Sequence, residues 1–149
     1  MPATPEPPVP AESGTALAFD LGTRVIGIAI GNRLSSTARP LATVDAIDWA
    51  RLDALVADWR PDELVVGLPL ALDGSEQPMS RRAREFARAL ERRYERPVRL
   101  VDERSSSREA AARFARQRAS GAARRKDAAA IDALAAQIIL ESWLSTHAS

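Results

Sequence analysis

Three acidic residues, far apart in the chain, stand in settings that suit metal-dependent chemistry. Asp20 ends a short apolar run, Glu103 ends a later one beside Asp102, and Asp132 lies within a C-terminal helical pattern. In open α/β sheets ligand chemistry gathers at strand ends, so Asp20 and Glu103 are candidates for one site. For each acid alone, a turn role, an ion pair or a buried hydrogen bond is an alternative.

The surroundings of Asp132 make it the most informative of the three. Helical spacing gives it apolar and mostly small neighbours: Ala128, Ala129, Ala135, Ala136 and Ile139. A carboxylate there should face the protein body, where it needs a cation or hydrogen-bond donors. Small neighbours let the helix approach a sheet closely and bring the acid near the strand ends. Asp127 begins the same helix, where an acid suits the positive helix end.

Converging carboxylates repel one another unless a divalent cation lies among them, and hard oxygen ligands suit Mg²⁺ or Mn²⁺. Two such ions can activate a water and stabilise the leaving oxygen of a phosphodiester. Other catalysts are excluded by composition. The chain has no cysteine, its single histidine is His147 in a predicted frayed tail, and it has no GxxxxGK[ST] phosphate loop.

The net charge of +1 conceals a strong asymmetry along the chain. Residues 1–78 hold five Arg and eleven acids, a net −6, whereas residues 79–126 hold fifteen Arg and one Lys against six acids, a net +10. Residues 127–149 add three acids, a net −3, which completes the total. A basic middle is what a polyanion-binding surface needs, although solvated Arg-rich helix faces have the same composition.

The length of 149 residues predicts one domain. We expect residues 1–15, rich in Pro and Ala, to form a disordered tail and residues 16–145 to form the domain. The lack of cysteine excludes disulfides and fits a cytoplasmic protein. No apolar run is long enough to cross a bilayer, so no membrane partner is expected.

Periodicity predicts a mixed α/β fold. Strands are predicted at 16–20, 24–30, 41–47, 63–68 and 98–103, and helices at 49–59, 79–94, 106–118 and 127–144. The small, polar and basic segment 119–126 is predicted to be a loop. Three antiparallel strands followed by βα units imply a mixed sheet flanked by helices.

Four segments resemble, in order, the motifs of the YqgF/RuvX family. They are residues 19–29, residues 65–70 with 73–75, residues 101–104, and Lys126 with residues 131–136. The resemblance covers about residues 16–144 and implies a ribonuclease-H-like fold. It also implies metal-dependent phosphodiester cleavage, with Asp20, Glu103 and Asp132 as the metal-binding catalytic acids. Residues 105–107, three serines, depart from the family pattern and affect the expected substrate contacts rather than the acids.

The family is described as a nuclease that trims the 5′ end of pre-16S rRNA, and also as similar to Holliday junction resolvases. Either substrate is a nucleic acid, which we expect the basic residues nearest the acids in sequence to contact: Arg24, Arg104, Arg124, Arg125 and Lys126. A monomer or a homodimer is compatible with the sequence. Two rivals are a non-catalytic RNA- or ribosome-binding module and an ATPase-like phosphate binder. The latter ranks low because such folds need two domains around the nucleotide.

Overall fold

The protein is described by a computed structural model at residues 14–45, 47–103, 112, 116 and 128–147, with backbone alone at 128–132, 146 and 147. The strands are β1 Thr15–Leu21, β2 Val25–Asn32, β3 Thr37–Asp45, β4 Glu63–Leu68 and β5 Val98–Asp102. The helices are α1 Trp49–Trp59, α2 Pro78–Tyr94 and α3 Ala128–His147. The strands pair in the order β3-β2-β1-β4-β5, antiparallel from β3 to β1 and parallel from β1 to β5. The predicted mixed sheet is therefore confirmed.

The sheet buries both faces, as its nearly continuous apolar strands require. On one face, odd-numbered residues of β1 such as Phe19 pack with α1 and α2, and the Phe19 and Phe86 rings meet edge to face at 5.7 Å. On the other face, Ala16 and Ala18 pack with α3. Because side chains alternate along a strand, Asp20 lies on the α3 face, where small alanines let the helix come close.

The two helices of the first face are tied together by hydrogen bonds. Arg93 of α2 donates to both carboxylate oxygens of Asp53 on α1 at 2.7 and 2.8 Å, and the Tyr94 hydroxyl donates to the same carboxylate at 2.7 Å. The hydrogen bonds from Arg93 and then Tyr94 lower the pKa of Asp53 to about 2. The Arg93 guanidinium also lies 4.9 Å from the Trp49 ring centroid, so this arginine has a structural role.

Three predicted boundaries were wrong by two or more residues at β3 and the last helix. β3 begins at Thr37 rather than at residue 41, with Pro40 inside it. Proline is tolerated because β3 is an edge strand of the described sheet and its register shifts opposite Ala29. The strand stops at Asp45 rather than at residue 47, since Ile47 adopts a positive φ of 55°. The last helix continues to His147, beyond the predicted end at residue 144.

Several predictions fall outside the described residues. These are most of the tail (residues 1–13), the basic loop at 119–126, and all but two residues of the helix at 106–118. Those two residues, Ala112 and Arg116, are both helical. Among the helices that the structure describes, none is both long and apolar enough to cross a membrane.

Candidate active site

Asp20 and Glu103 meet at the carboxyl ends of the parallel strands. Asp20 is the penultimate residue of β1, and Glu103 directly follows β5, where its backbone N–H donates to the Leu68 carbonyl at 3.2 Å. That bond continues the β4–β5 ladder by one step and holds the backbone of Glu103 against β4. The structure thus brings together two acids that lie 83 positions apart in the sequence.

Gly67 makes this meeting possible. The β1–β4 register pairs Phe19 with Val66, so Gly67 is the next residue of β4 beside Asp20. A Cβ at position 67 would lie 2.6 Å from Glu103 Oε1 and 2.5 Å from Ile139 Cδ1, both closer than real Cβ atoms approach. The missing side chain therefore leaves the space that the Glu103 carboxylate occupies between β4 and α3.

Glu103 is a buried acid beside another acid. It is 7% exposed, and it shares a hydrogen bond with Asp20. Burial first, then the negative charge of Asp20, that hydrogen bond and the charge of Asp102 raise the pKa of Glu103 to about 8. One proton shared between the two carboxyl groups keeps the pair from carrying two full charges.

This arrangement suits a divalent cation. A cation between the half-buried Asp20 carboxylate and the buried Glu103 carboxylate supplies the positive charge that the shared proton otherwise provides, and both oxygen donor groups match Mg²⁺ and Mn²⁺. Among the side chains that the structure describes, no group of three Asp, Glu or His residues forms a complete metal site. The third predicted acid, Asp132, belongs to α3, but its side chain lies outside that description.

The backbone position of Asp132 is known within α3. It lies seven residues before Ile139, which is about 10 Å or two turns along the axis and nearly the same side of the helix. Ile139 and Ala136 are fully buried against the face that carries Asp20 and Glu103. Helical periodicity puts position 132 on nearly the same side of α3 as Ile139, and the participation of the Asp132 carboxylate in the site stays a prediction.

Replacing Gly67 with alanine is expected to disable the site. The new methyl group must displace either the Glu103 carboxylate or Ile139, so we expect a stability loss of about 1–3 kcal/mol and a larger loss of metal affinity. Thermal melting and calorimetric titration with Mn²⁺ measure the two effects.

The double variant Gly67→Ala/Ile139→Val separates the loss of stability from the loss of metal affinity. Removing Ile139 Cδ1 relieves the clash with that side chain and leaves the clash with Glu103. We expect it to recover part of the stability while metal binding stays impaired. Normal Mn²⁺ affinity in Gly67→Ala would contradict the placement of the Glu103 carboxylate over this glycine.

The other predicted site residues have different positions. Arg24 is exposed in the β1–β2 turn, at the same end of the sheet as Asp20. Arg104, Arg124, Arg125 and Lys126 lie outside the described residues, as does Asp127. Asp102 is exposed at the end of β5 and acts on the site through its charge, which contributes to the raised pKa of Glu103.

The loop after β4 forms a rim at the same sheet end. It closes through the Leu70–Glu76 bridge, and the Ser75 N–H donates to Asp73 Oδ1 at 2.9 Å. Gly74 has φ of 88°, so Asp73 and Gly74 form a tight turn. The Ser80 hydroxyl of α2 donates to the Pro69 carbonyl and anchors the start of the loop.

The sheet order, the helix α3 on one face and the acids at the ends of β1 and β5 define a ribonuclease-H-like protein. The fold is similar to that of T. thermophilus RuvC in complex with a Holliday junction substrate, with a TM-score of 0.52 and 17% identity over 89% of this chain and 96% of that one. The chain belongs to the RuvX family, described as Holliday junction resolvase, whose model matches residues 14–146.

Relatives of similar length support this assignment. A protein of Xanthomonas axonopodis pv. citri is 54% identical over 136 residues, which are 89% of this chain and 88% of that protein. One of Xylella fastidiosa (strain M23) is 51% identical over 145 residues, 95% and 94% of the two chains. Both are named "Putative pre-16S rRNA nuclease". The family and fold that the sequence motifs implied are confirmed.

Proposed function

We propose that this protein is a metal-dependent nuclease that processes the 5′ end of pre-16S rRNA in the cytoplasm. The observation that carries the chemistry is the contact between half-buried Asp20 and buried Glu103, two acids held together at a cost that a divalent cation removes. The substrate assignment is based on the relatives, which are 54% and 51% identical to this chain over the aligned residues and carry a pre-16S rRNA nuclease name.

In this proposal, Asp20, Glu103 and Asp132 hold one or two Mg²⁺ or Mn²⁺ ions. When bound, such ions activate a water for attack on the phosphodiester and stabilise the leaving oxygen. The burial of Glu103 keeps bulk water from its own carboxylate, so the charge of that group acts in a medium of low polarity. The packing of α3 on this sheet face supports the inclusion of Asp132.

Basic residues would hold the substrate in register. Arg24, at the rim beside Asp20, is proposed to contact a phosphate next to the scissile one. Arg104, Arg124, Arg125 and Lys126 are proposed to contact the backbone further along, and Lys126 to stabilise charge that develops in the transition state. These contacts recognise phosphates, so they serve RNA and DNA alike.

A second candidate is an endonuclease for branched DNA. The family description, Holliday junction resolvase, favours it. Paired cuts in a four-way junction need two sites related by symmetry, so this function requires a homodimer, whereas a trimming nuclease can act as a monomer.

The test compares two labelled substrates in Mg²⁺ and in Mn²⁺: an RNA with the 5′ precursor end of small-subunit rRNA, and a synthetic four-way DNA junction. We expect cleavage of the RNA alone, and its loss in Asp132→Asn. Asp127→Asn is the matched control, an acid five positions earlier expected to keep activity. Symmetric junction cuts would replace the RNA assignment with the resolvase. Cleavage that survives Asp132→Asn would contradict the role of that acid. No cleavage of either substrate would favour a non-catalytic binding module.

A further inference from the structure

The helix α2 carries a basic face that the candidate active site does not use. Its 17 residues include six Arg and two Glu, a net charge of +4. Three of these arginines, Arg81, Arg88 and Arg92, are exposed and follow i, i+7, i+11 spacing. At 3.6 residues per turn they lie within about 40° of one another around the axis, along about 16 Å of helix. We call these three residues the α2 arginine stripe.

The stripe points away from the protein. The buried residues of α2, Ala83, Phe86, Ala87 and Leu90, lie on the opposite side of the helix and pack against the sheet. That sheet face is the one covered by α1 and α2, whereas Asp20 and Glu103 lie on the face covered by α3. The stripe and the candidate active site are therefore on opposite sides of the sheet.

The other arginines of this region already have structural partners. Arg84 donates to Glu76 at 2.6 Å, Arg93 holds Asp53, and Arg96 donates to the carbonyls of Pro61 and Tyr94 at 2.6 and 2.7 Å. By contrast, the stripe arginines form no salt bridge or hydrogen bond of their side chains with any residue that the structure describes. Arg81 acts on Glu76 through its charge, whereas Arg88 and Arg92 have no such structural partner among the residues that the structure describes.

We propose that the α2 arginine stripe is a second RNA-binding surface that holds the phosphate backbone of the precursor away from the scissile bond. This inference rests on the proposed RNA substrate and adds to it a long-range contact on the reverse side of the sheet. Arginine forks match phosphate oxygens in pairs. The spacing of about 6 Å between Arg88 and Arg92 along the axis spans neighbouring phosphates of one strand. Glu85 lies on the same side of α2 as the stripe, and its negative charge weakens the positive field there.

Substrate length separates this surface from the catalytic one. A short RNA that ends close to the cleavage point reaches the carboxylates and Arg24 but not the far side of the sheet. A longer precursor reaches both. Removal of the stripe is therefore expected to weaken binding of the long RNA and to leave the short RNA unaffected.

The experiment measures RNA affinity over a range of salt concentrations in EDTA, which removes the metal and prevents cleavage. The affinities can therefore be interpreted even if the proposed nuclease activity is absent. We expect Arg88→Gln/Arg92→Gln to bind the long RNA about five- to tenfold more weakly at low salt. Its salt slope is expected to fall by about 1.5, since each phosphate contact contributes about 0.7–0.9. Glu85→Gln is expected to bind the long RNA more tightly.

The matched control is Arg51→Gln/Arg60→Gln, which removes the same charge from exposed positions on and beside α1. We expect its salt slope to stay near that of the wild type. Equal slopes in the two double variants, or equal weakening of the short and long RNA, would overturn the proposal. Unchanged long-RNA affinity in Arg88→Gln/Arg92→Gln would overturn it as well. In that case an acidic protein would be the partner with charge complementary to the stripe.

Discussion

Replacing Asp20 with asparagine is expected to lower the rate of metal-dependent cleavage at least a thousandfold while making the metal-free protein more stable. The amide cannot supply the negative charge that holds a divalent cation, and each tenfold of rate is about 1.4 kcal/mol of lost stabilisation. In the metal-free protein above about pH 8, where Glu103 is ionised, the same change removes the like charge beside it. At that pH we expect a melting temperature about 2–5 °C higher in EDTA.

The opposite signs of these effects identify a functional acid. An Asp20 that served only as a turn residue would lose stability on substitution and keep its activity. Asp102→Asn is the matched control, because this acid is exposed and adjacent to Glu103. We expect its cleavage rate to stay within about tenfold of the wild type. Retained activity in Asp20→Asn, measured on the same RNA, would remove this residue from the site.

The metal-free protein is expected to lose stability as pH rises, which is the second large effect. The pKa of Glu103 is 4.5 in its ordinary state and about 8 in the folded protein. Between these values the folded state binds a proton that the unfolded state does not. The contribution of this proton to the free energy of unfolding is complete below about pH 4.5 and decreases as the pH rises to about 8. We expect the melting temperature in EDTA to fall steadily across this window.

Mg²⁺ or Mn²⁺ is expected to cancel this dependence. A cation replaces the proton between Asp20 and Glu103, so its apparent affinity should rise with pH and the melting temperature at pH 8 should recover. Glu103→Gln is the control, since the amide does not titrate, and its melting temperature in EDTA should change less with pH. Parallel pH curves for the wild type and Glu103→Gln would show that Glu103 does not titrate in this window.

Patterns in the sequence singled out Asp20 and Glu103 because each of these acids ends an apolar run. The boundaries of β4 and α1 were predicted to the residue, since both are continuous apolar or amphipathic segments between clear turn signals. The start of β3 was not, because the rule that proline begins a strand fails at a sheet edge. Whether a strand lies at the edge depends on the order of strands in the whole sheet, so the local sequence does not predict it.

The role of Gly67 was missed, although its type carried a signal. A glycine inside an apolar strand marks a place where another group comes close, and only the fold shows that the group is the Glu103 carboxylate. The alternation of side chains along β5 could also have predicted which of Asp102 and Glu103 belongs to the site. Val101 packs on the α3 face, so Glu103, two positions on, shares that face and Asp102 does not.

The central claim is that Asp20, Glu103 and Asp132 together bind the catalytic metal. Crystals of the wild-type protein soaked in Mn²⁺ test it most directly, because anomalous scattering locates manganese without reference to activity. We predict an anomalous peak within ligand distance of carboxylate oxygens from all three residues, and its loss in crystals of Asp20→Asn. A peak that contacts Asp102 or Asp127 instead, or none at the Asp20–Glu103 pair, would contradict the account.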